Sequence, residues 1–142
     1  MEMNYRGFVD HAVQKSFYGQ TTIGLLSEVL KEYVNEDDVK VFYPKNLFVE
    51  NTNIELYAFM QDHVIAIIQG DNGIILKSLY YKNIRNIELF KSTRNESEVG
   101  LLIRYTNEEE INLRSHQDTN DTWAFRYGKK IKEIFKMLSN PQ

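Results

Sequence analysis

Residues 70–90 read GDNGIILKSLYYKNIRNIELF, with Lys77, Lys82 and Arg85 set among Tyr80, Tyr81 and Phe90. Basic and aromatic residues interleaved this way suit either a nucleic-acid surface or a piece of sheet whose apolar residues are core. The glycine-bounded turn and the short apolar runs on either side favour the sheet. Lys77 then lies on a strand, Lys82 in the step after it and Arg85 just beyond. All three point to solvent while Leu79, Ile84 and Ile87 go inward. Tyr80 and Tyr81 are adjacent, so if both lie on the strand only one can face the core, because successive strand side chains alternate.

Working outward, the same grammar repeats. VKVFY begins a β-rich region at Val39 and is expected to stop at Pro44, which cannot continue a ladder. NLFVE, ELYAFM, HVIAIIQ, GIILKSLY, IRNIELF, VGLLIRYT and EINLRS follow, separated by short polar breaks. Gln61-Asp62 forms a tight link, GDNG supplies two glycines for positive φ, and TNEEE turns the chain after Tyr105. The longer STRNESE segment, residues 92–98, reads as a mobile loop. Short strands joined by hairpins must be antiparallel, so the region is a barrel or a sandwich. Val99, Leu101, Ile103 and Tyr105 share one face, as do Ile111 and Leu113. HVIAIIQ is apolar on both faces and needs cover on both.

Helical patterns flank the strands. Phe8, Ala12 and Phe17 recur at helical spacing, with a stop at Gly19. Thr21 or Thr22 caps a second helix whose stripe is Ile23, Leu26, Leu30, Tyr33 and Val34, and the NEDD turn ends it. At the far end Asp118, Thr119 or Asp121 caps a helix lined by Ala124, Tyr127, Ile131, Ile134, Phe135 and Leu138, with Trp123 at its edge. Gly128 inside that helix costs about 1 kcal/mol against alanine, which suggests close packing onto a strand. The reading is one α+β domain, 1–142: a helical part over 1–37, antiparallel strands over 38–116 and a C-terminal helix over 117–142.

Composition restricts function. The chain has 142 residues, 42% of them hydrophobic, and a net charge of −3. An acidic chain lacks the long-range attraction to phosphate on which nucleic-acid binders and anionic-membrane binders rely. It contains no cysteine, which removes disulfides, thiolate metal sites and a cysteine nucleophile. The opening MEMNYRGFVDHAVQKSF has no apolar h-region or small-residue cleavage site, and no apolar run approaches a membrane span, so a cytoplasmic protein is expected.

No motif brings chemistry together. His11, His63 and His116 are far apart and lack metal-ligand spacing. Glu108, Glu109 and Glu110 form a charged hairpin tip without further carboxylates at calcium-loop spacing. GDNGI lacks the Gly-Lys-Ser/Thr signature of a phosphate loop, and no serine sits in a nucleophile elbow. Catalytic, cofactor and metal sites are therefore all expected to be absent, and the protein is not expected to be an enzyme. The candidate contact surface is the basic face of the last helix, Lys129, Lys132 and Lys136 with Lys130 beside them, facing an acidic partner or lipid headgroups. Aromatics beyond the needs of the core, such as Tyr43, Tyr57 or Tyr80, are expected at the surface.

About seven antiparallel strands closed by one amphipathic helix resemble the pleckstrin-homology-like (PH-like) barrel. LYAFMQDHVIAIIQGDNGIILKSLYYKNIRNIEL resembles the centre of bacterial PH-like domains, including a Y-x-x-I-x-x-I step that here is Tyr81, Ile84 and Ile87. That resemblance covers Val39 to Leu138. The whole chain, VKVFYPKNLF included, resembles a small family from Gram-positive bacteria without an assigned activity. It implies an antiparallel PH-like barrel capped by the C-terminal helix, with two N-terminal helices outside it. Phosphoinositide-binding PH domains cluster Lys and Arg on the first strands and the loop between them. Here that loop is ENTN if the barrel starts at Leu47, or offers only Lys40 and Lys45 if it starts at Val39. The implied function is a non-catalytic binding module for a protein partner, a second copy of itself included. The alternative is peripheral anionic-lipid binding through Lys129, Lys132 and Lys136. Nucleic-acid and membrane partners are not expected.

Overall fold

A computed structural model describes residues 3–17 and 21–140. The elements run α1 (Tyr5–Phe17), α2 (Thr21–Tyr33), a 3-10 turn (Glu36–Asp38), β1 (Val41–Lys45), β2 (Glu55–Phe59), β3 (His63–Gln69) and β4 (Ile74–Tyr80). After a second 3-10 turn (Tyr81–Asn83) come β5 (Ile84–Lys91), β6 (Val99–Tyr105), β7 (Glu110–Arg114) and α3 (Ala124–Ser139). Among the described residues the class is α+β, with three helices and two antiparallel sheets. One sheet has four strands in the order β1-β2-β3-β4, and the other three in the order β5-β6-β7. Among the described residues the strands pair as two separate sheets, not as the single continuous barrel expected. Two compact units result: Met1–Pro44 with Asn53–Ser78, and Lys45–Thr52 with Leu79–Gln142.

In the first unit, Phe8 and Ala12 of α1 are fully buried, as are Leu26 and Leu30 of α2. α2 lies on β3, which supplies part of the cover that HVIAIIQ requires. Phe42 of β1 receives the rings of Tyr5 and Phe8, at centroid distances of 6.1 and 5.8 Å. The expected stop at Gly19 and the side chains of Phe17 and Thr21 lie outside the described residues. Tyr33 departs from the expected stripe and is exposed, and Thr22 is an exposed helix residue. In the turn after α2, Asn35 Oδ1 accepts a hydrogen bond from Asp37 N, which caps the NEDD segment.

Several strand expectations need correction. β1 runs through Pro44 to Lys45, because it is an edge strand, where a missing N–H breaks no ladder. NLFVE and the Asn51 after it form turns instead of a strand: Asn46 and Asn51 take φ of 69° and 61°, a conformation that asparagine tolerates. Among the described residues the seven strands therefore take in Val41–Tyr43 of VKVFY, without Val39 and Lys40, and exclude NLFVE. The β2–β3 hairpin closes tightly around Gln61-Asp62, with Met60 N donating to His63 O at 2.8 Å. In GDNG neither glycine adopts positive φ. Gly70 is needed for closeness instead, since a Cβ there would stand 3.0 Å from Gly73 O. In the turn after Tyr105 it is Glu108 that takes positive φ, 71°.

The second unit is built on β6. Val99, Leu101, Ile103 and Tyr105 are buried, and so are Ile111 and Leu113 of β7, as alternation predicts. α3 packs on this face through Tyr127, Ile131 and Ile134, while Phe135 and Leu138 are only half-buried. No side chain at the N-cap position closes the start of α3. Its N-cap position is Trp123, whose N–H is accepted by Asn120 Oδ1 at 3.2 Å. Asp118 is occupied elsewhere, its buried carboxylate accepting from Arg114 N at 2.7 Å. STRNESE is tied down by its own side chains. Ser92 Oγ accepts from Arg94 N and Asn95 N, and Asn95 Oδ1 accepts from Ser97 N.

Candidate functional site

The 4-3-4 spacing of positions 125, 129, 132 and 136 places Phe125, Lys129, Lys132 and Lys136 on one outer stripe of α3. Lys129 and Lys136 are exposed and Lys132 is half-buried. Phe125 is 53% exposed, and Lys129 Nζ sits 5.7 Å from the centre of its ring. At the start of the helix the Arg126 guanidinium lies 4.6 Å from the Trp123 ring, and that ring stacks on Phe48 at 5.8 Å. The lysine row is thus a solvated face with one apolar side chain at its N-terminal end.

The remaining expected aromatics divide. Tyr43 and Tyr57 are buried, against expectation, because consecutive residues of β1 and β2 are buried and neither strand has a free face at those positions. Tyr80 is exposed, as expected. On β4, Lys77 and Leu79 are both half-buried, while Ile75 and Leu76 are exposed on an edge strand. Ile84 and Ile87 of β5 are half-buried too.

Among the described residues no group of three His, Cys, Asp or Glu is placed to hold a metal ion. At the Glu108–Glu110 tip, Glu108 lies 3.8 Å from Arg85 and Glu110 lies 3.7 Å from Arg104. His63 Nδ1 donates to Asp62 Oδ1 at 2.6 Å. Burial, helped by Lys15, holds His11 below the usual imidazole range.

One pairing was not legible in the sequence. Ser97 Oγ and His116 Nε2 lie 2.8 Å apart, a distance suited to nucleophile and base. The hydrogens are arranged the wrong way for that chemistry. Asn95 Oδ1 accepts from Ser97 N, which fixes it as the amide oxygen, and Ser97 Oγ–H donates to the same atom at 2.9 Å. The hydroxyl has no second proton, so His116 Nε2–H must be the donor to Ser97 Oγ. A histidine protonated there cannot remove the serine proton. The pair locks the loop.

The other surface feature is the face of β5-β6-β7 turned away from α3. Strand register sets three rows across it: Phe90, Gly100 and Arg114; Glu88, Leu102 and Asn112; and Asn86, Arg104 and Glu110. Phe90 is 57% exposed. Since Gly100 has no side chain, the first row sinks into an open groove of about 670 Å³ that Glu98 and His116 also line. Glu88 is held by Arg104 at 3.0 Å. The sequence did carry a signal, a glycine in the middle of an otherwise regular strand, which marks a bulge or a place of close approach. Which side chains flank that gap depends on register.

A family model described as "Protein of unknown function (DUF3908)" matches residues 4–129. Among solved structures, the chain is similar to a DUF1696 family protein with a pleckstrin-homology domain from Shewanella loihica PV-4. The two are 14% identical over 83% of this chain and 91% of that one, with a TM-score of 0.46. No curated protein matches.

Proposed function

The chain belongs to the DUF3908 family, and we propose that it is a non-catalytic module that binds a protein partner through the open face of β5-β6-β7. The observation that carries this is the exposed Phe90 beside the side-chain gap at Gly100, on a face that α3 does not cover. Aromatic residues standing beside a recess are the usual anchors of protein contacts. The PH-like arrangement of strands followed by a closing helix belongs to the same proposal, with the cytoplasm as the place where the module works.

A second reading, peripheral binding to anionic lipid, draws on Phe125, which offers an apolar insertion point beside Lys129, Lys132 and Lys136. Each lysine near such a surface contributes only about 1 kcal/mol, screened by salt. The net charge of −3 opposes that attraction, which places this reading second. Among the described residues no helix is long and apolar enough to cross a membrane.

Vesicle sedimentation and analytical ultracentrifugation on one preparation separate the two. The expected result is no sedimentation with phosphatidylserine vesicles near physiological ionic strength, together with a self-associated or partner-bound species that survives moderate salt. Salt-sensitive vesicle binding, lost when Lys129, Lys132 and Lys136 are all changed to Glu, would reverse the order. A monomer that binds neither vesicles nor protein would remove the binding-module proposal.

A further inference from the structure

We propose that the groove over Gly100 seats an aromatic side chain, tryptophan best of all, presented by a protein partner. The inference rests on the protein-binding reading above and states what the partner must carry. A Cβ built on Gly100 would stand 3.8 Å from Phe90 Cβ and 3.8 Å from Arg114 Cγ, so the two side chains rise on either side of the gap. One wall is an aromatic ring and the other is the stem and guanidinium of arginine. Both pack well on a planar ring, one as an aromatic pair and one as a cation over a π face.

Charge complementarity selects the ring over other occupants. Arg114 Nε leans on Asn112 Oδ1 at 3.4 Å, and among the described residues no acceptor meets its terminal nitrogens. A carboxylate ligand would find this cation, but it would also meet the carboxylates of Glu98 and Glu88 that line the same groove. An aromatic ring avoids the conflict, because its face is negative and its edge positive. The face suits Arg114 and the edge suits Glu98 and Glu88. Tryptophan adds an N–H that can donate to a carboxylate. An aliphatic side chain would fill the space and leave Arg114 and Glu98 unanswered, Glu88 being already held by Arg104.

The test is a ¹H–¹⁵N NMR titration of the full chain with N-acetyltryptophanamide, N-acetylleucinamide and N-acetyltryptophan as its carboxylate. The expected result is saturable shifts at the amides of Phe90, Gly100, Leu102 and Arg114, with the tryptophan amide binding roughly tenfold tighter than the leucine amide. Gly100→Val should abolish those shifts while leaving the fold intact. A Cβ there makes only contacts of 3.5 Å and longer, and β-branched residues suit a strand. Arg114→Gln should weaken tryptophan binding and leave leucine binding unchanged. Equal binding of the leucine amide, tighter binding of the free carboxylate, or undiminished binding to Gly100→Val would each overturn the proposal. If no ring binds but the chain still holds a protein partner with Gly100→Val in place, the aromatic seat falls and the binding-module reading stands.

Discussion

Gly128 of α3 lies so close to Ser97 that a Cβ at position 128 would stand 3.0 Å from the Ser97 carbonyl oxygen, and 3.4 Å from Val99 Cγ2. That oxygen cannot easily retreat, because it also accepts from Ser115 Oγ at 2.6 Å. The close approach explains a glycine in the middle of a helix, where propensity alone would favour alanine by about 1 kcal/mol.

Gly128→Ala should therefore destabilise the protein despite the gain in helix propensity. Overpacking against backbone costs about 1–3 kcal/mol, enough to outweigh the propensity term. Urea denaturation reads the sign directly, and a more stable alanine variant would show that the 92–98 loop yields.

Ile131 and Lys129 test the two faces of α3. Ile131 is fully buried, so Ile131→Ala should cost about 2–5 kcal/mol, whereas Lys129→Ala should stay within about 0.5 kcal/mol. Phe135→Ala should fall between them, since that ring is only half-buried. Equal losses at Ile131 and Lys129 in chemical denaturation would contradict the assigned faces.

Asp118 ties the 45–52 segment to the end of β7. Its Oδ1 is 3.8 Å from Lys45 Nζ, with side-chain exposures of 3% and 19% for Asp118 and Lys45, and Lys45 Nζ donates to Asn112 O at 2.6 Å. Asp118→Ala leaves the Arg114 N–H and the lysine short of an acceptor, for an expected loss of about 3 kcal/mol. In Lys45→Ala the Asp118 carboxylate still accepts from Arg114 N, so that variant should cost less. A double-mutant cycle should return a coupling above about 0.5 kcal/mol, and strict additivity would rule the pairing out.

Tyr105 and Tyr127 make stability sensitive to alkali. Burial holds both hydroxyls above their ordinary value of 10.0, so the fold favours the neutral form. Their contribution is complete below pH 10 and is lost as pH rises beyond it, by up to about 1.4 kcal/mol per pH unit for each tyrosine. The Tyr105 hydroxyl also has no hydrogen-bond partner among the described residues. Tyr105→Phe should then raise stability at pH 7 by about 1 kcal/mol and flatten the alkaline loss. Urea midpoints at pH 7 and above pH 10 check both, and a drop at pH 7 would reveal a partner for the hydroxyl.

Much of this protein is written in local pattern. Period-two alternation placed Val99, Leu101, Ile103 and Tyr105 inside, and helical spacing placed Tyr127, Ile131 and Ile134 against them. Each depends on residues within a few positions, where one face must leave water. Gly128 was legible for the same reason, as a local cost that needed a compensating contact. The lysine face of α3 was legible too, although Phe125 beside Lys129 was not.

Other features depended on neighbours distant in sequence. Pro44 reads as a strand breaker unless β1 is known to be an edge, and only strand order decides that. Asp118 reads as a helix cap until Lys45 and the Arg114 N–H compete for its carboxylate. Tyr43 and Tyr57 read as spare aromatics until the packing of β1 and β2 buries them. The groove needs three strands in one register before Phe90, Gly100 and Arg114 form a row. A one-residue slip would send their side chains to opposite faces, and register is set by turns and core packing together. Local chemistry determined which residues must leave water, whereas tertiary pairing decided which of those left at the surface stand beside one another.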